Sequence, residues 1–187
     1  DEGWVYHSRV TIWKCPVVEM TRTKAHGLLY KTLRTDGSRV RVGMPDYLMV
    51  FRKPSDGKTP DPVLHNQDVY PVSWWQEAAS PVWMTVDQTN VLNVAVARDD
   101  KDEKHLCPLQ LDVIERCVHL WSNPGDVVFS PFMGIGSEGV VSIRHGRRFV
   151  GTELKPAYFK QAVRNLLLAE QQGTDGDLVS QMFAGAA

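Results

Sequence analysis

The sequence predicts an α/β fold built around a nucleoside-cofactor site. Three observations carry that reading. The apolar run Asp126-Val127-Val128-Phe129 passes directly into Ser130-Pro131-Phe132-Met133-Gly134-Ile135-Gly136-Ser137-Glu138-Gly139. A helical segment follows, and Glu153 stands 17 residues beyond Gly136, at the end of a second apolar run. Upstream, Ile114, Cys117, Val118 and Trp121 repeat at the i, i+3, i+4, i+7 spacing of an amphipathic helix. Strand, glycine turn, helix, strand and terminal acid together form a cradle for a nucleoside: Gly134 allows a sharp turn, and Gly136 removes a side chain where a ligand must lie against the backbone.

The elements follow in chain order. Residues 4–14 are β-rich and end in Val10-Thr11-Ile12-Trp13, which predicts a strand stopped by Cys15-Pro16. Residues 17–33 have helical character that Gly27 weakens, and the basic, glycine-containing residues 34–44 suggest a mobile loop. Residues 46–53 read as a buried strand closed by Pro54, and residues 55–65 as a linker. Between 66 and 98 the chain holds Trp74, Trp75 and Trp83, either a packing cluster or a stacking surface for bases, with a helix over 73–79. Next come a helix over 109–121, a stop at Ser122-Asn123-Pro124-Gly125 and a short buried strand over 127–129. A helix over 137–145 is capped by Gly146, a strand covers 149–152, and a helix runs from Pro156 to about Glu170. Residues 171–187 read as a flexible tail.

Gly134, Gly136 and Gly139 fit the dinucleotide fingerprint G-x-G-x-x-G, and a carboxylate at 153 can accept two hydrogen bonds from the cis hydroxyls of a ribose. One feature separates the cofactors. A nicotinamide domain continues with several more strands after its second, whereas only 34 residues follow Glu153 here. The remaining strands must come from earlier in the chain, so the nucleoside-binding unit is last in sequence order.

Residues 104–168 resemble the C-terminal half of a DNA amino-methyltransferase of the adenine-N6 or cytosine-N4 family. The resemblance rests on Lys104-His-Leu-Cys-Pro-Leu-Gln110, on Ser122 through Ser137 and on Gly146-Arg-Arg-Phe-Val-Gly-Thr-Glu-Leu-Lys-Pro-Ala-Tyr-Phe159. It is looser over residues 1–53, and phage and prophage members match best in pattern. It implies part of a Rossmann-like class I methyltransferase sheet with helices on both faces, in permuted order, and S-adenosyl-L-methionine as cofactor. Ser130, Pro131, Phe132, Gly134, Gly136 and Ser137 become the cofactor loop, Glu153 the ribose ligand and Leu154 an adenine contact. His105, Cys107 and Pro108 belong to the segment that closes over the methionine end. The family's usual Asp-Pro-Phe is Ser130-Pro131-Phe132 here, so a charge is absent from the pocket.

The family's catalytic motif, Asp/Asn/Ser-Pro-Pro-aromatic, accepts hydrogen bonds from the target amine and stacks on a base flipped out of the duplex. No Pro-Pro dipeptide occurs among the 187 residues. The expectation is therefore a C-terminal portion of a site-specific DNA methyltransferase, inactive alone, with the missing N-terminal part of the same enzyme as partner. Its divisions are residues 1–54, late strands of the catalytic subdomain; 55–103, a linker and target-recognition region; 104–170, the cofactor subdomain; and 171–187, the tail. No catalytic residue is assigned.

Charge supports DNA as a second partner. The formal net charge is −1, but residues 22–53 carry eight basic side chains against two acids, with Arg22, Lys24, Arg34, Arg39 and Arg41 as candidate phosphate contacts. That asymmetry also fits a non-catalytic DNA-binding or assembly module, and the glycine spacing alone would fit a nicotinamide-dependent oxidoreductase. Three cysteines at irregular spacing suggest free thiols in a cytoplasmic setting, and no apolar run reaches a membrane span. Cys107, Cys117 and His119 lack a suitably spaced fourth ligand, so no metal is expected from them. An unpaired sheet edge leaves room for homo-oligomer formation.

Overall fold

The computed structural model describes residues 3–24, 26–54, 61–93 and 108–184, with backbone alone at 22, 26 and 174–184. It divides into two compact units, Asp1–Val86 and Asp87–Ala187.

In the first unit, β1 (Val5–Ile12) is central to a three-stranded sheet of order β2-β1-β3. β2 (Asp46–Arg52) runs antiparallel to it, with Val10 opposite Leu48 and an irregularity between Tyr6 and Ser8. The short β3 (Val82–Trp83) pairs in parallel at Thr11 and Ile12. Val10, Ile12, Ala78, Trp83 and Val86 are buried. The Trp83 indole N–H donates to the Ala78 carbonyl (3.0 Å) at the end of α3 (Val72–Ala78), which satisfies its polar atom inside the core. Trp74 packs against Tyr70 and His65, while Trp75 lies exposed. Two of the three clustered tryptophans thus serve packing.

Sequence and structure differ at several places in this unit. The single helix expected over 17–33 is α1 (Pro16–Thr23), a 3-10 turn (His26–Leu28) and α2 (Tyr30–Thr35). Lys24 adopts left-handed backbone (φ 55°) and returns its N–H to the Met20 carbonyl, ending α1 as a C-cap. Gly27 lies so close to the Arg41 side chain that a Cβ there would meet Arg41 Cγ at 2.7 Å. The loop expected over 34–44 contains the end of α2 and a second 3-10 turn at Gly37–Arg39. β2 is not the buried strand expected. Among the described residues it is an edge strand with one neighbour, and its pleat half-buries Leu48 and Val50 and leaves Tyr47, Met49 and Phe51 exposed.

The second unit is a β–α–β unit flanked by helices. β4 (Val127–Ser130) and β5 (Arg148–Gly151) are parallel, with Val128 opposite Phe149 and Ser130 opposite Gly151. α5 (Ser137–Arg144) connects them and packs on both strands, on α4 (Leu111–Trp121) and on α6 (Pro156–Ala184). Ile114, Val118 and Val141 form a buried cluster against Leu111 and Val128, as the helical spacing predicts. Gly139 permits that packing: a Cβ there would overlap Leu166 of α6 and meet Phe149 Cδ1 at 2.6 Å. Buried Arg147 ties the helix ends together. Its guanidinium donates to the Ser122 hydroxyl (3.0 Å), the Ser122 carbonyl (2.6 Å) and the His145 carbonyl (2.6 Å). A basic side chain here satisfies carbonyls that the terminus of α4 leaves unpaired.

Here too the strand expected to be buried, 127–129, alternates instead. Val128 faces the helices, while Val127 and Phe129, with Val150 beside them, are exposed on the opposite face. The helix expected to end near Glu170 continues to Ala184, where a tail was expected. No proline interrupts 171–184, and each residue added to a formed helix gains one backbone bond.

Two consequences are measurable. Gly139→Ala should destabilise the chain by about 1–3 kcal/mol, the usual cost of overpacking, read as a lower urea midpoint; an unchanged midpoint would contradict the contact with Leu166 and Phe149. Burial pushes the Cys117 thiol up from 9.0 to about 12. A thiol whose folded value is raised contributes stability that is complete below the unfolded value and lost as pH climbs to the folded one. Stability should therefore fall between pH 9 and about 12 in the wild-type chain, and less steeply in Cys117→Ala. Equal slopes in that window would remove the contribution.

Candidate functional site

The glycine turn joins the end of β4 to the start of α5, and alternation of its side chains sets its shape. Met133 and Ile135 are buried; Ile135 packs on Tyr158 of α6 and on Leu92. Phe132, between Pro131 and Met133, is 86% exposed. The backbone reverses at Gly134 (φ 54°) and Gly136 (φ 87°), both in the left-handed region that glycine enters without strain. Gly136 is also confined from below, since a Cβ there would stand 3.3 Å from the Ala162 Cβ.

Four hydrogen bonds fasten this turn to the residues after β5. The Thr152 N–H donates to the Ser130 carbonyl (3.0 Å) and the Met133 N–H to the Thr152 carbonyl (3.0 Å). The Thr152 hydroxyl donates to the Pro131 carbonyl (2.6 Å). Glu153 completes the set: one carboxylate oxygen accepts from the Gly134 N–H (3.0 Å), while the other accepts from the Lys155 N–H (2.8 Å). From α6, the Asn165 amide donates to the Ile135 carbonyl (2.8 Å) and is itself held by Gln161 (2.9 Å).

A carboxylate has about four lone-pair sites, so two on Glu153 remain after these backbone bonds. That leaves capacity for the two hydroxyls of a ribose beside a turn that is already fixed. Leu154, the next residue, is 99% exposed, and with Phe132 it supplies apolar surface on either side of the acid and the turn in sequence. Ser130 and Ser137 are buried, Ser137 opening α5 behind Gly136. In that first turn, burial lifts the Glu138 carboxyl above the usual carboxylate range.

The structure therefore brings Ser130, Pro131, Phe132, Gly134, Gly136, Ser137, Glu153 and Leu154 to one loop pair. His105 and Cys107 lie outside the described residues, and Pro108 is half-buried ahead of α4. Sequence reasoning missed Thr152, Asn165 and Ala162. The first could be found from its position between strand and acid, the second from the polar i, i+4 pair with Gln161 on an otherwise packed helix. The candidate phosphate contacts belong to the first unit. Lys24, Arg34, Arg39 and Arg41 are exposed; Arg39 is paired with Asp36 (3.1 Å); Arg22 has only its backbone described. The same segment walls an apolar cleft of about 630 Å³, lined by Trp13, Val17, Met20, Leu28, Leu33 and Val40, which the sequence did not reveal.

Known proteins share both the sequence pattern and the fold. The DNA adenine methyltransferase YhdJ of Escherichia coli K12 is 34% identical over 76 residues, 41% of this chain and 26% of that one. The type II methyltransferase M1.MboII of Moraxella bovis is 40% identical over 58 residues, 31% of this chain and 22% of its own length. Among solved structures, TTHA0409 of Thermus thermophilus, complexed with S-adenosyl-L-methionine, matches 90% of this chain and 55% of its own at a TM-score of 0.58 and 20% identity. The chain thus spans about a quarter of these curated relatives and about half of the solved one. The structural likeness gives the fold, a Rossmann-like methyltransferase α/β fold. Residues 11–164 match the DNA methylase family N6_N4_Mtase, and the chain belongs to that family.

Proposed function

We propose that this chain is the cofactor-binding portion of a site-specific DNA methyltransferase that moves a methyl group from S-adenosyl-L-methionine to the exocyclic amine of adenine or cytosine. The observation that carries the reading is the glycine turn latched to Glu153 through the Gly134 N–H, with carboxylate hydrogen-bonding capacity to spare. Family membership and the relatives' activities support it.

In this reading the ribose hydroxyls donate to Glu153, the adenine lies against Leu154, and the methionine end lies near Ser130 to Phe132. Residues 104–109, with His105, Cys107 and Pro108, close over that end. Ser130 offers a hydroxyl where a carboxylate is usual, so it contributes a hydrogen bond without charge. The chain's own residues bind and orient the donor. The Pro-Pro-aromatic motif that would hold the flipped base is absent from these 187 residues, so methylation requires the rest of the enzyme. The basic residues 22–41 contact DNA phosphates, which makes DNA the second partner. Residues 55–103 read target sequence.

Calorimetry with S-adenosyl-L-methionine tests the first part. Glu153→Ala removes two ribose bonds to a charged acceptor, each of about 1.5–3 kcal/mol, and should weaken binding by at least about tenfold. Thermal unfolding of the same variant separates that loss from a loosened turn. Absence of binding at millimolar donor to the folded chain would overturn the assignment, and binding of a nicotinamide dinucleotide instead would favour an oxidoreductase. For DNA, affinity should fall steeply with salt, and Arg34→Ala and Arg41→Ala should each reduce the logarithmic salt slope by about 1. A flat salt response would remove the phosphate role.

A further inference from the structure

A second cluster of chemistry-bearing side chains lies at the opposite end of α5 from the glycine turn. Glu115 and His119 are one helical turn apart on α4, and His145 caps the C-terminal end of α5. His145 Nε2 stands 3.2 Å from a Glu115 carboxylate oxygen, and His119 Nε2 stands 3.8 Å from the same oxygen. The two imidazoles meet edge to face with centroids 4.3 Å apart. One ligand atom from each of the three residues lies within 4.8 Å of the others.

From this geometry we propose that Glu115, His119 and His145 form a binding site for a divalent transition-metal ion of the zinc class, joining α4 to α5. Ligand type and spacing argue for it together. Two imidazoles and one carboxylate are donors that zinc accepts, and three protein ligands leave a fourth position for water. Zinc–ligand bonds of about 2.0–2.2 Å place neighbouring donors of a tetrahedron about 3.3–3.6 Å apart. The Glu115–His145 and Glu115–His119 separations are already close to that. Glu115 and His119 share one face of α4 as an i, i+4 pair, and the remaining pair, His119 and His145 on different helices, has to close from at most 4.8 Å by rotation of rings that already meet edge to face.

The backbone beneath the site is fixed. Arg147 binds the His145 carbonyl and the end of α4 at once, so the two elements that carry the ligands are held in register. Both histidine side chains are largely shielded, while the Glu115 carboxylate is half exposed and gives an ion its path in. The positive charges of Arg144 and Arg147 lie nearby and lower the affinity below that of a neutral surrounding. The site does not involve the cysteines that the sequence first brings to mind, and it does not depend on the methyl-transfer reading.

The test uses the whole 187-residue chain, freed of metal by a chelator. Zinc should bind with one-to-one stoichiometry in calorimetry and raise Tm. Cobalt(II) should give visible ligand-field bands without a thiolate-to-cobalt charge-transfer band. His119→Gln, His145→Gln and Glu115→Gln should each weaken zinc binding by more than about tenfold, since even outer partners of metal ligands cost 10–100-fold. Glu115→Gln keeps size and shape at a half-exposed position, and the cobalt spectrum needs no variant, so a misfolded histidine variant does not spare the proposal. No heat and no Tm shift at millimolar zinc, an unchanged affinity in Glu115→Gln, or a thiolate charge-transfer band would each overturn it.

Discussion

The bond from the Gly134 N–H to the Glu153 carboxylate is the constraint on which the second unit turns. It is a charge-assisted bond between a reversal in the chain and the second residue after the next parallel strand. Around it, Thr152 exchanges backbone bonds with Ser130 and Met133, and Asn165 reaches in from α6 to hold Ile135. The glycine turn is thereby fastened to the elements behind it. A site shaped before its ligand arrives loses less freedom on binding than one that must order itself, which is the advantage of preorganisation.

The same residues divide cleanly by direction. Met133 and Ile135 are buried and hold the turn down, whereas Phe132 and Leu154 extend almost fully into solvent. Large apolar side chains left this exposed next to a hydrogen-bonded glycine turn are surface ready to be covered. The α4–α5 junction is organised differently: its polar groups turn toward one another, with Arg147 bonded to the Ser122 hydroxyl and to the Ser122 and His145 carbonyls and the Glu115, His119 and His145 ligand atoms converging. One β–α–β unit thus presents two chemically distinct ends, separated by the length of α5.

Much of this was legible in the residues. The strand–turn–helix–strand order, the acid at 153 and the apolar stripe of α4 each follow from local periodicity and glycine placement, where a single physical rule dominates. What the sequence hid depends on partners distant along the chain. Whether Val127, Phe129 or Tyr47 is covered is decided by which strands and helices lie beside them, and a run of apolar residues reads alike in either case. The break of the expected helix at Lys24 rests on one residue in left-handed backbone. The roles of Thr152 and Asn165 are hydrogen bonds made across 21 and 30 residues. The Glu115, His119 and His145 grouping was hidden because its third member comes from another helix end.

The contact between Gly136 and Ala162 extends this to inheritance. Ala162 is fully buried, and its Cβ stands only 3.3 Å from where a Cβ at 136 would lie. A larger residue at 162 would press on the turn from the α6 side, and under the proposed reading it would reshape the cofactor cradle without altering a residue assigned to it. The two positions therefore act as one unit of selection: smallness at 162 is a condition for the turn, and the pair should co-vary among relatives as a residue pair in the core does, although only one of them belongs to the recognisable motif.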